Sequence, residues 1–186
     1  MVGAIHEHRG LVFIADALRG VGGVETSFAG WIPRKSDAQY LATQPQIKYI
    51  GRLPYADALR VVYESDIMLA LYDPRLPINV MASSNKIFEA MAASGAVITN
   101  METTMAGIVT ATGCGYLVRY GDVVQLRSTI IRLRDDPSLR KELGACGFRA
   151  FQEKYNWEIM EVRLGNIYSA LTTQRGDVIG YHVPHQ

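Results

Sequence analysis

The chain has 186 residues, 48% of them hydrophobic and 20% charged, a composition that is typical of a globular protein and excludes a disordered or fibrous one. A net charge of +1, from 19 Lys and Arg against 18 Asp and Glu, excludes the broad basic surface of a nucleic-acid-binding protein. Any anion site must therefore be local. This length predicts one domain, and no apolar run approaches the roughly 20 residues that cross a bilayer.

Apolar segments of two kinds alternate along the chain. Short runs bounded by turn residues predict strands, and apolar residues at helical spacing predict helices. The predicted strands are Val2–Ile5, Val24–Trp31, Ile47–Ile50, Ile67–Leu71, Ala96–Thr99 and Gly115–Val118. The predicted helices are Leu11–Arg19, Asp37–Ala42, Ala58–Glu64, Asn85–Ala93, a short one between the last two strands, Val123–Arg134, Ser138–Glu153 and Trp157–Leu171.

This alternation is typical of an α/β fold in which helices cover both faces of a parallel sheet. We predict an α/β/α sandwich with about six strands in residues 1–172 and a C-terminal tail in residues 173–186. Trp157 and its apolar neighbours are expected to pack the last helix on the sheet. Such sheets bind ligands at the carboxyl ends of their strands, so the chemistry is expected in the loops that follow the strands.

The opening residues and the cysteines indicate the compartment. The first seven residues hold no basic segment followed by an apolar one, so a signal peptide is not expected. Cys114 and Cys146 lie far apart and match no metal-ligand spacing, which predicts two reduced thiols. We therefore expect a soluble intracellular protein.

Residues 81–99 carry the strongest functional signal, because a polar loop there enters the helix predicted from Asn85. N–H groups at a helix start attract an anion, and Lys86 adds a charge suited to a phosphate. Glu89, one turn further on, has a carboxylate that could accept hydrogen bonds from two vicinal hydroxyls. A site for a phosphate beside a site for a diol predicts that the ligand is a nucleotide. The alternative is a solvated Lys86–Glu89 pair on an ordinary helix.

Several motifs resemble one family. Lys86-Ile-Phe-Glu-Ala-Met-Ala, followed by Gly95-Ala-Val-Ile, is similar to the donor-site signature of the retaining glycosyltransferases of family four, which have two facing Rossmann-like domains. Residues 2–11, with Gly3 and the pair Arg9–Gly10, resemble the opening of that family's C-terminal domain. Residues 47–53, 63–67, 113–118 and 133–157 match further segments, so the resemblance covers residues 2–171. It implies a Rossmann-like, nucleotide-sugar-binding C-terminal half.

The resemblance also implies a role for each matching position. Arg9 and Lys86 would stabilise the leaving diphosphate, and Glu89 would bind the ribose hydroxyls. The remaining donor-binding positions are Gly3, Ser83, Ser84 and Asn85 beside the diphosphate, and Gly51 and Arg52 beside the base. No Asp-x-Asp motif occurs, so neither a metal nor another cofactor is expected, and N–H groups and cations would replace the metal.

The implied partners are a UDP-sugar or GDP-sugar donor and an N-terminal acceptor domain in cis or in trans, without which we expect no activity. The implied reaction is transfer of a hexose to a glycan or lipid-linked acceptor, in polysaccharide or lipopolysaccharide assembly. The expected location is the cytoplasm; peripheral association of the complete enzyme with the inner face of the membrane stays open. Met81 stands where many family members have a sugar-binding Glu, and Ala4 where many have Arg.

Other functions stay open. A non-catalytic nucleotide-sugar-binding or assembly module would use the same pocket without chemistry. An epimerase of this architecture would need an acid–base pair of carboxylates, and none is evident. A flavodoxin-like protein would need a phosphate loop after the first strand, where Ile5–Arg9 is a poor candidate. His6 and His8, in that loop, are interpreted as polar loop residues, with a phosphate or sugar contact as the alternative.

Overall fold

The computed structural model describes residues 1–176, with side chains up to residue 172. Strands and helices alternate as predicted. The strands are β1 (Ser27–Phe28), β2 (Lys48–Tyr49), β3 (Ile67–Ala70), β4 (Ala96–Asn100) and β5 (Gly115–Val118). The helices are α1 (Leu11–Leu18), α2 (Lys35–Ala42), α3 (Tyr55–Tyr63), α4 (Pro77–Met81), α5 (Asn85–Ala92), α6 (Met105–Thr112), α7 (Val123–Asp135), α8 (Pro137–Ala150) and α9 (Trp157–Gly176), with a 3-10 turn at Glu7–Arg9 and a π turn at Phe151–Tyr155.

All strand pairs are parallel, which confirms the α/β fold. The prediction of about six strands in one sheet was too high, because the described residues hold five strands in two sheets, β1–β2 and β3–β4–β5. The segment Val2–Ile5 runs beside β1 but makes only a single bridge, from Val2 to Ala29. Gly3 has a φ of +113° and Gly30 a φ of +145°. Neither value occurs in an extended strand, so both segments are interrupted.

Helices cover both faces of the three-stranded sheet. In β4, Ala96 and Ile98 pack in one apolar cluster with α1 and α7, whereas Val97 packs in the other with α5 and α6. All three side chains are fully buried. Burial on both faces explains why the strands read as nearly continuous apolar runs in the sequence.

The C-terminal part differs from the prediction. Trp157 is 67% exposed, and α9 contacts the π turn rather than the sheet, so the expected packing of this helix was wrong. The helix continues through the boundary predicted at residue 173, and residues 177–186 of the predicted tail lie outside the described residues. Cys114 is buried and Cys146 is half-buried, and both are free thiols. In residues 1–176 no helix is long and apolar enough to span a bilayer.

Candidate functional site

Tyr72 lies at the centre of a polar cluster beyond the carboxyl end of β3. Its side chain is only 4% exposed, and its backbone N–H donates to Asn100 Oδ1, at the end of β4, over 2.9 Å. Its hydroxyl shares a hydrogen bond of 2.5 Å with Ser84 Oγ, directly before α5. One buried side chain therefore joins the loop after β3 to the start of α5.

Two cations lie against the Tyr72 ring. The guanidinium carbon of Arg9 is 4.3 Å from the ring centroid, and the Lys86 ammonium is 5.5 Å from it. A cation over an aromatic face is attracted by the ring quadrupole, typically by about 0.5–2 kcal/mol. The ring thus holds together two like charges that would otherwise repel each other, and a bound anion would be attracted to both.

The start of α5 adds N–H groups to these charges. Ser84 is the N-cap residue, but no side chain among residues 1–172 caps the helix, because the Ser84 hydroxyl bonds to Tyr72 instead. The Ser84 N–H itself donates to Met105 Sδ at 3.0 Å. The Ile87 N–H donates to the Ser84 carbonyl at 3.2 Å. The N–H groups of Asn85 and Lys86, the first two of the helix, are the ones left for a ligand, in the arrangement that commonly binds phosphate.

Gly3 allows the backbone to approach the same place. A Cβ atom at Gly3 would lie 3.3 Å from Lys86 Cε and 3.4 Å from Lys86 Nζ. On its other side Gly3 meets Gly30, where a Cβ atom would lie 1.7 Å from the Gly3 carbonyl oxygen. The Gly30 N–H in turn donates to the Gly51 carbonyl over 2.8 Å. Three glycines thus bring three neighbouring segments together beside Lys86.

Glu89 lies one turn into α5 and is half-buried. Burial raises the pKa of its carboxyl group, and the charge of Lys86 lowers it in part. A carboxylate that is partly desolvated and close to a cation gains from hydrogen-bond donors of a ligand, because such donors replace lost water.

A second network, of hydrogen bonds around Asp73, fixes the turn that carries Arg9. Asp73 is fully buried, and it accepts hydrogen bonds from the Arg75 guanidinium at 2.6–3.0 Å and from His8 Nδ1 at 2.9 Å. Arg75, and then His8, hold the pKa of the Asp73 carboxyl group well below its usual range. The Asp73 backbone N–H and the Asn79 side-chain amide both donate to the His8 carbonyl, at 3.1 and 3.3 Å. The turn that carries Arg9 is therefore fixed to the loop after β3.

Not all of the residues that the sequence predicts as donor-binding lie together in the structure. Arg9, Lys86, Ser84 and Gly3 come together around Tyr72, whereas Ser83, Asn85 and Arg52 are exposed. His8 bonds to Asp73, and burial followed by the charge of Arg9 lowers the pKa of His6.

Sequence reasoning missed several residues of this cluster. They are Tyr72, Asp73, Asn79 and Asn100. The signal that could have found the first two is their position directly after the apolar run of β3, at the sheet edge where ligands bind.

Other features of the site concern metals and the sugar position. Among residues 1–176 no group of three His, Cys, Asp or Glu is close enough to hold a metal ion. Asp136 caps α8 by accepting from the Leu139 N–H at 2.8 Å, and Asp135 pairs with Arg134. Met81 is 73% exposed and Ile78 is 77% exposed, so α4 presents apolar rather than acidic side chains next to the cluster.

Comparison with known proteins identifies relatives. A family model described as glycosyl transferase-like matches residues 11–160. A relative, the GDP-mannose-dependent monoacylated alpha-(1-6)-phosphatidylinositol monomannoside mannosyltransferase of Corynebacterium glutamicum, is 32% identical over 136 residues. These are 72% of this chain and 35% of that protein, so the chain spans about a third of the relative's length.

Solved structures share the fold. HepE of Anabaena in complex with UDP-glucose has a TM-score of 0.75 at 14% identity, over 91% of this chain and 48% of that one. The C-terminal domain of LpcC, a group 1 family glycosyl transferase of Francisella tularensis, has a TM-score of 0.67 at 22% identity, over 84% of this chain and 85% of that one. The family model covers most of the sequence, including the segment that contains Lys86 and Glu89. The chain therefore belongs to the glycosyl transferase-like family, as its resemblance to the family-four glycosyltransferases predicted.

Proposed function

We propose that this chain is the donor-binding half of a glycosyltransferase and binds a nucleoside diphosphate sugar at the Tyr72 cluster. One arrangement supports this proposal above all: Arg9 and Lys86 lie on the same buried ring, beside the uncapped start of α5. Two cations and a row of N–H groups fit a diphosphate, which carries two adjacent anionic groups.

In this proposal the diphosphate lies between Gly3 and the start of α5, where the absence of a Cβ atom leaves room for it. Arg9, Lys86 and the first N–H groups of α5 stabilise the negative charge that develops on the diphosphate as the sugar leaves. A single preorganised donor of this kind is worth about 2.7–4 kcal/mol of transition-state stabilisation in other enzymes. No metal is required for this step, because the protein supplies the positive charge.

The nucleoside would extend along the neighbouring loops. Glu89 accepts hydrogen bonds from the two ribose hydroxyls, and the backbone of Gly51 and Arg52 lies against the base. Ser83 and Asn85 complete the polar rim at the start of α5. The names of the relatives include one that depends on GDP-mannose and one in complex with UDP-glucose, so guanine and uracil nucleotides are the two candidates.

The acceptor side of the reaction needs further protein. Because the chain spans only about a third of its mannosyltransferase relative, we propose that an N-terminal acceptor domain, in cis or in trans, completes the enzyme. The complete enzyme would transfer a hexose to a glycan or lipid-linked acceptor in the cytoplasm, at the inner face of the membrane where the acceptor is a lipid. Polysaccharide or lipopolysaccharide assembly is the proposed setting.

Calorimetric titration tests the donor site. The chain is titrated with UDP, GDP, ADP, UDP-glucose and GDP-mannose, each in EDTA and in Mg²⁺. We expect one nucleotide family to bind with equal Kd under both conditions, and Lys86→Met to weaken binding. Lys141→Met, which removes an exposed lysine from α8, serves as the matched control. Binding of all nucleotides only in Mg²⁺, or equal binding by both variants, would refute the proposed site.

A transfer assay separates the catalytic function from a non-catalytic binding module. The chain is mixed with the acceptor domain of a homologous enzyme and supplied with the donor that it binds. Release of nucleoside diphosphate that depends on both proteins and on Lys86 supports the transferase. Tight donor binding with no release supports the binding module, for which Met81, in place of a sugar-binding carboxylate, is the favouring observation.

A further inference from the structure

Asp37 is a buried carboxylate with one oxygen atom that no other described residue contacts by a hydrogen bond. It lies in the first turn of α2 and is 6% exposed. Its Oδ1 atom accepts from the Glu7 backbone N–H over 3.3 Å, whereas its Oδ2 atom is buried without a partner among residues 1–172. A buried acceptor that stays unpaired is costly. Asp37 therefore suits a contact that forms only when a ligand is bound.

His6 is a polar neighbour of this carboxylate. It directly precedes Glu7 and is half-buried, and neither nitrogen of its ring forms a hydrogen bond within the part of the chain that the structure describes. The His8 ring lies 6.0 Å from the His6 ring, but its two nitrogens already contact Asp73 at 2.9 Å and Glu7 at 3.2 Å. Of the two imidazoles in this turn, only that of His6 therefore has nitrogens available for a ligand.

The turn that begins at His6 places its side chain beside Arg9. The Arg9 N–H donates to the His6 carbonyl over 2.9 Å, which closes one 3-10 turn. Side chains three residues apart in such a turn lie almost over each other. Arg9 in turn lies over the Tyr72 ring, where the diphosphate is proposed to bind. His6 therefore borders the Tyr72 cluster.

Charged and titratable groups from two elements surround the His6 imidazole. Arg9 and His8 belong to its own turn. Asp37 lies in the first turn of α2, and Arg34 is the N-cap residue of that helix. Burial, and then the charge of Arg9, lowers the pKa of His6, whereas the charge of Asp37 raises it in part. An anion bound beside Arg9 would offset the repulsion and favour the protonated imidazole.

We infer that His6 is a third cationic group of the donor site and that Asp37 holds its imidazolium in place. One ring N–H donates to a phosphate oxygen of the donor, and the other donates to Asp37 Oδ2, which gives that oxygen its missing partner. Both are charge-assisted hydrogen bonds. Asp37 is a positioning residue, because it acts on the donor only through His6. The inference rests on the proposed donor site, and it adds that donor binding takes up a proton.

A pH titration of the His6 ring by nuclear magnetic resonance tests this inference. The Cε1–H signal of His6 is the one that His6→Gln removes, and it is followed from pH 5 to pH 8 in the free chain and with saturating pyrophosphate, UDP or GDP. Pyrophosphate carries no ribose, so Glu89 does not contribute to its binding. We expect a bound diphosphate to raise the pKa of His6 by about one unit or more.

Asp37→Asn separates the positioning role from a merely structural one. Asparagine has the same shape and can still accept from the Glu7 N–H, but its neutral amide stabilises an imidazolium less than a carboxylate does. We expect this variant to lower the pKa of His6 in the free chain and to reduce the rise that a diphosphate causes. The same rise in the variant and in the wild type would overturn the role of Asp37.

Donor affinity gives a second measurement. UDP-glucose and GDP-mannose are used for calorimetry, because their diphosphate does not titrate between pH 5.5 and pH 8. At pH 5.5 we expect His6→Gln to raise Kd by roughly tenfold, as for the loss of a hydrogen bond from a charged group. The ratio of the two Kd values should approach one at pH 8, where the imidazole is neutral.

The outcomes distinguish this inference from the proposed donor site. If a diphosphate binds and Lys86→Met weakens its binding, but the pKa of His6 does not change, the inference is overturned and the donor site stands. If none of the diphosphates or donors binds, both fail. The wild-type and His6→Gln measurements decide the role of His6 even if Asp37→Asn does not fold.

Discussion

The guanidinium carbon of Arg9 lies 4.3 Å from the centroid of the Tyr72 ring. Arg9 comes from the turn before α1 and Tyr72 from the loop after β3, so the pair joins segments that are 63 residues apart in the chain. The ring orients the positive charge without neutralising it. A carboxylate in the same place would have cancelled the charge that an anionic ligand needs.

Two substitutions of Tyr72 should separate the contribution of its hydroxyl group from that of its aromatic ring. Tyr72→Phe keeps the aromatic face and loses only the hydrogen bond to Ser84, so we expect a stability loss of about 1 kcal/mol and little change in donor affinity. Tyr72→Leu removes the face on which Arg9 and Lys86 lie. We expect it to weaken donor binding by roughly tenfold, measured by calorimetry. Equal donor affinities of the two variants would mean that the ring does not position the cations.

Loss of the Arg9 charge should weaken donor binding. We expect Arg9→Gln to raise Kd by roughly 10–100-fold, because a hydrogen bond to a charged group contributes about 1.5–3 kcal/mol. The loss should shrink at high salt, since added ions screen the same attraction. Arg19→Gln is the matched control, because Arg19 is exposed at the far end of α1 and pairs only with Asp16 among its described partners. An equal effect of both substitutions would show that Arg9 acts through net charge alone.

Glu89 should make donor binding depend on pH. Burial raises the pKa of its carboxyl group, and only the ionised form accepts two hydrogen bonds from a diol. Donor affinity should therefore fall as the pH is lowered through the raised pKa. Glu89→Gln should bind weakly and without this pH dependence, when Kd is measured from pH 4 to pH 8. A wild-type Kd that stays constant across this range would exclude Glu89 as the ribose ligand.

Glu89→Gln should also change stability, in the opposite direction to binding. A pKa that is raised in the folded state contributes stability below the unfolded pKa, and this stability is lost as the pH rises through the folded pKa. Glutamine is neutral at every pH, so the Glu89→Gln variant retains this stability above the folded pKa of Glu89. We therefore expect the variant to gain Tm relative to the wild type between pH 4 and pH 7, by no more than a few degrees because Glu89 is only half-buried. Thermal unfolding scans at several pH values would measure this gain.

Gly30 should tolerate no side chain. A Cβ atom there would lie 1.7 Å from the Gly3 carbonyl oxygen, so Gly30→Ala must displace the backbone beside the proposed diphosphate site. We expect a loss of more than about 3 kcal/mol in the free energy of unfolding, measured with urea. Gly20→Ala is the control, because Gly20 also has a positive φ of 78° but has open space around it. Its cost should be about 1–2 kcal/mol, from backbone strain alone.

The amino group of Met1 should make stability depend on pH. Its pKa is lowered from 8.0 to about 5 in the folded state. A base of this kind contributes stability above its unfolded pKa and loses it as the pH falls through the folded pKa, so the loss runs from pH 8 to pH 5. Because three pKa units correspond to about 4 kcal/mol, we expect the free energy of unfolding to fall by about 4 kcal/mol more in the free chain than in an N-terminally acetylated chain. Parallel unfolding profiles of the two chains would contradict the assigned burial.

Local patterns in the sequence determined a large part of this structure. The apolar runs of β3, β4 and β5 were found within a residue or two because both faces of these strands are covered. The start of α5 at Asn85 was found because its polar and apolar residues separate at helical spacing. The family followed from the order of short motifs around Lys86 and Glu89, which depends on neighbours in the chain.

Tertiary structure decided the rest, because it concerns residues that are distant in the chain. Gly3 and Gly30 lie against each other and both have positive φ values, which interrupt two predicted strands and leave a bridge and a two-residue strand. In the sequence Tyr72 directly follows an apolar run, and only the folded structure brings Arg9 and Lys86 over its ring. The exposure of Trp157 could not be predicted either, because the sequence of an apolar helix face does not indicate which part of the protein packs against it. Periodicity reports which face of a segment is apolar, whereas the position of a charge over a ring depends on how the segments pack.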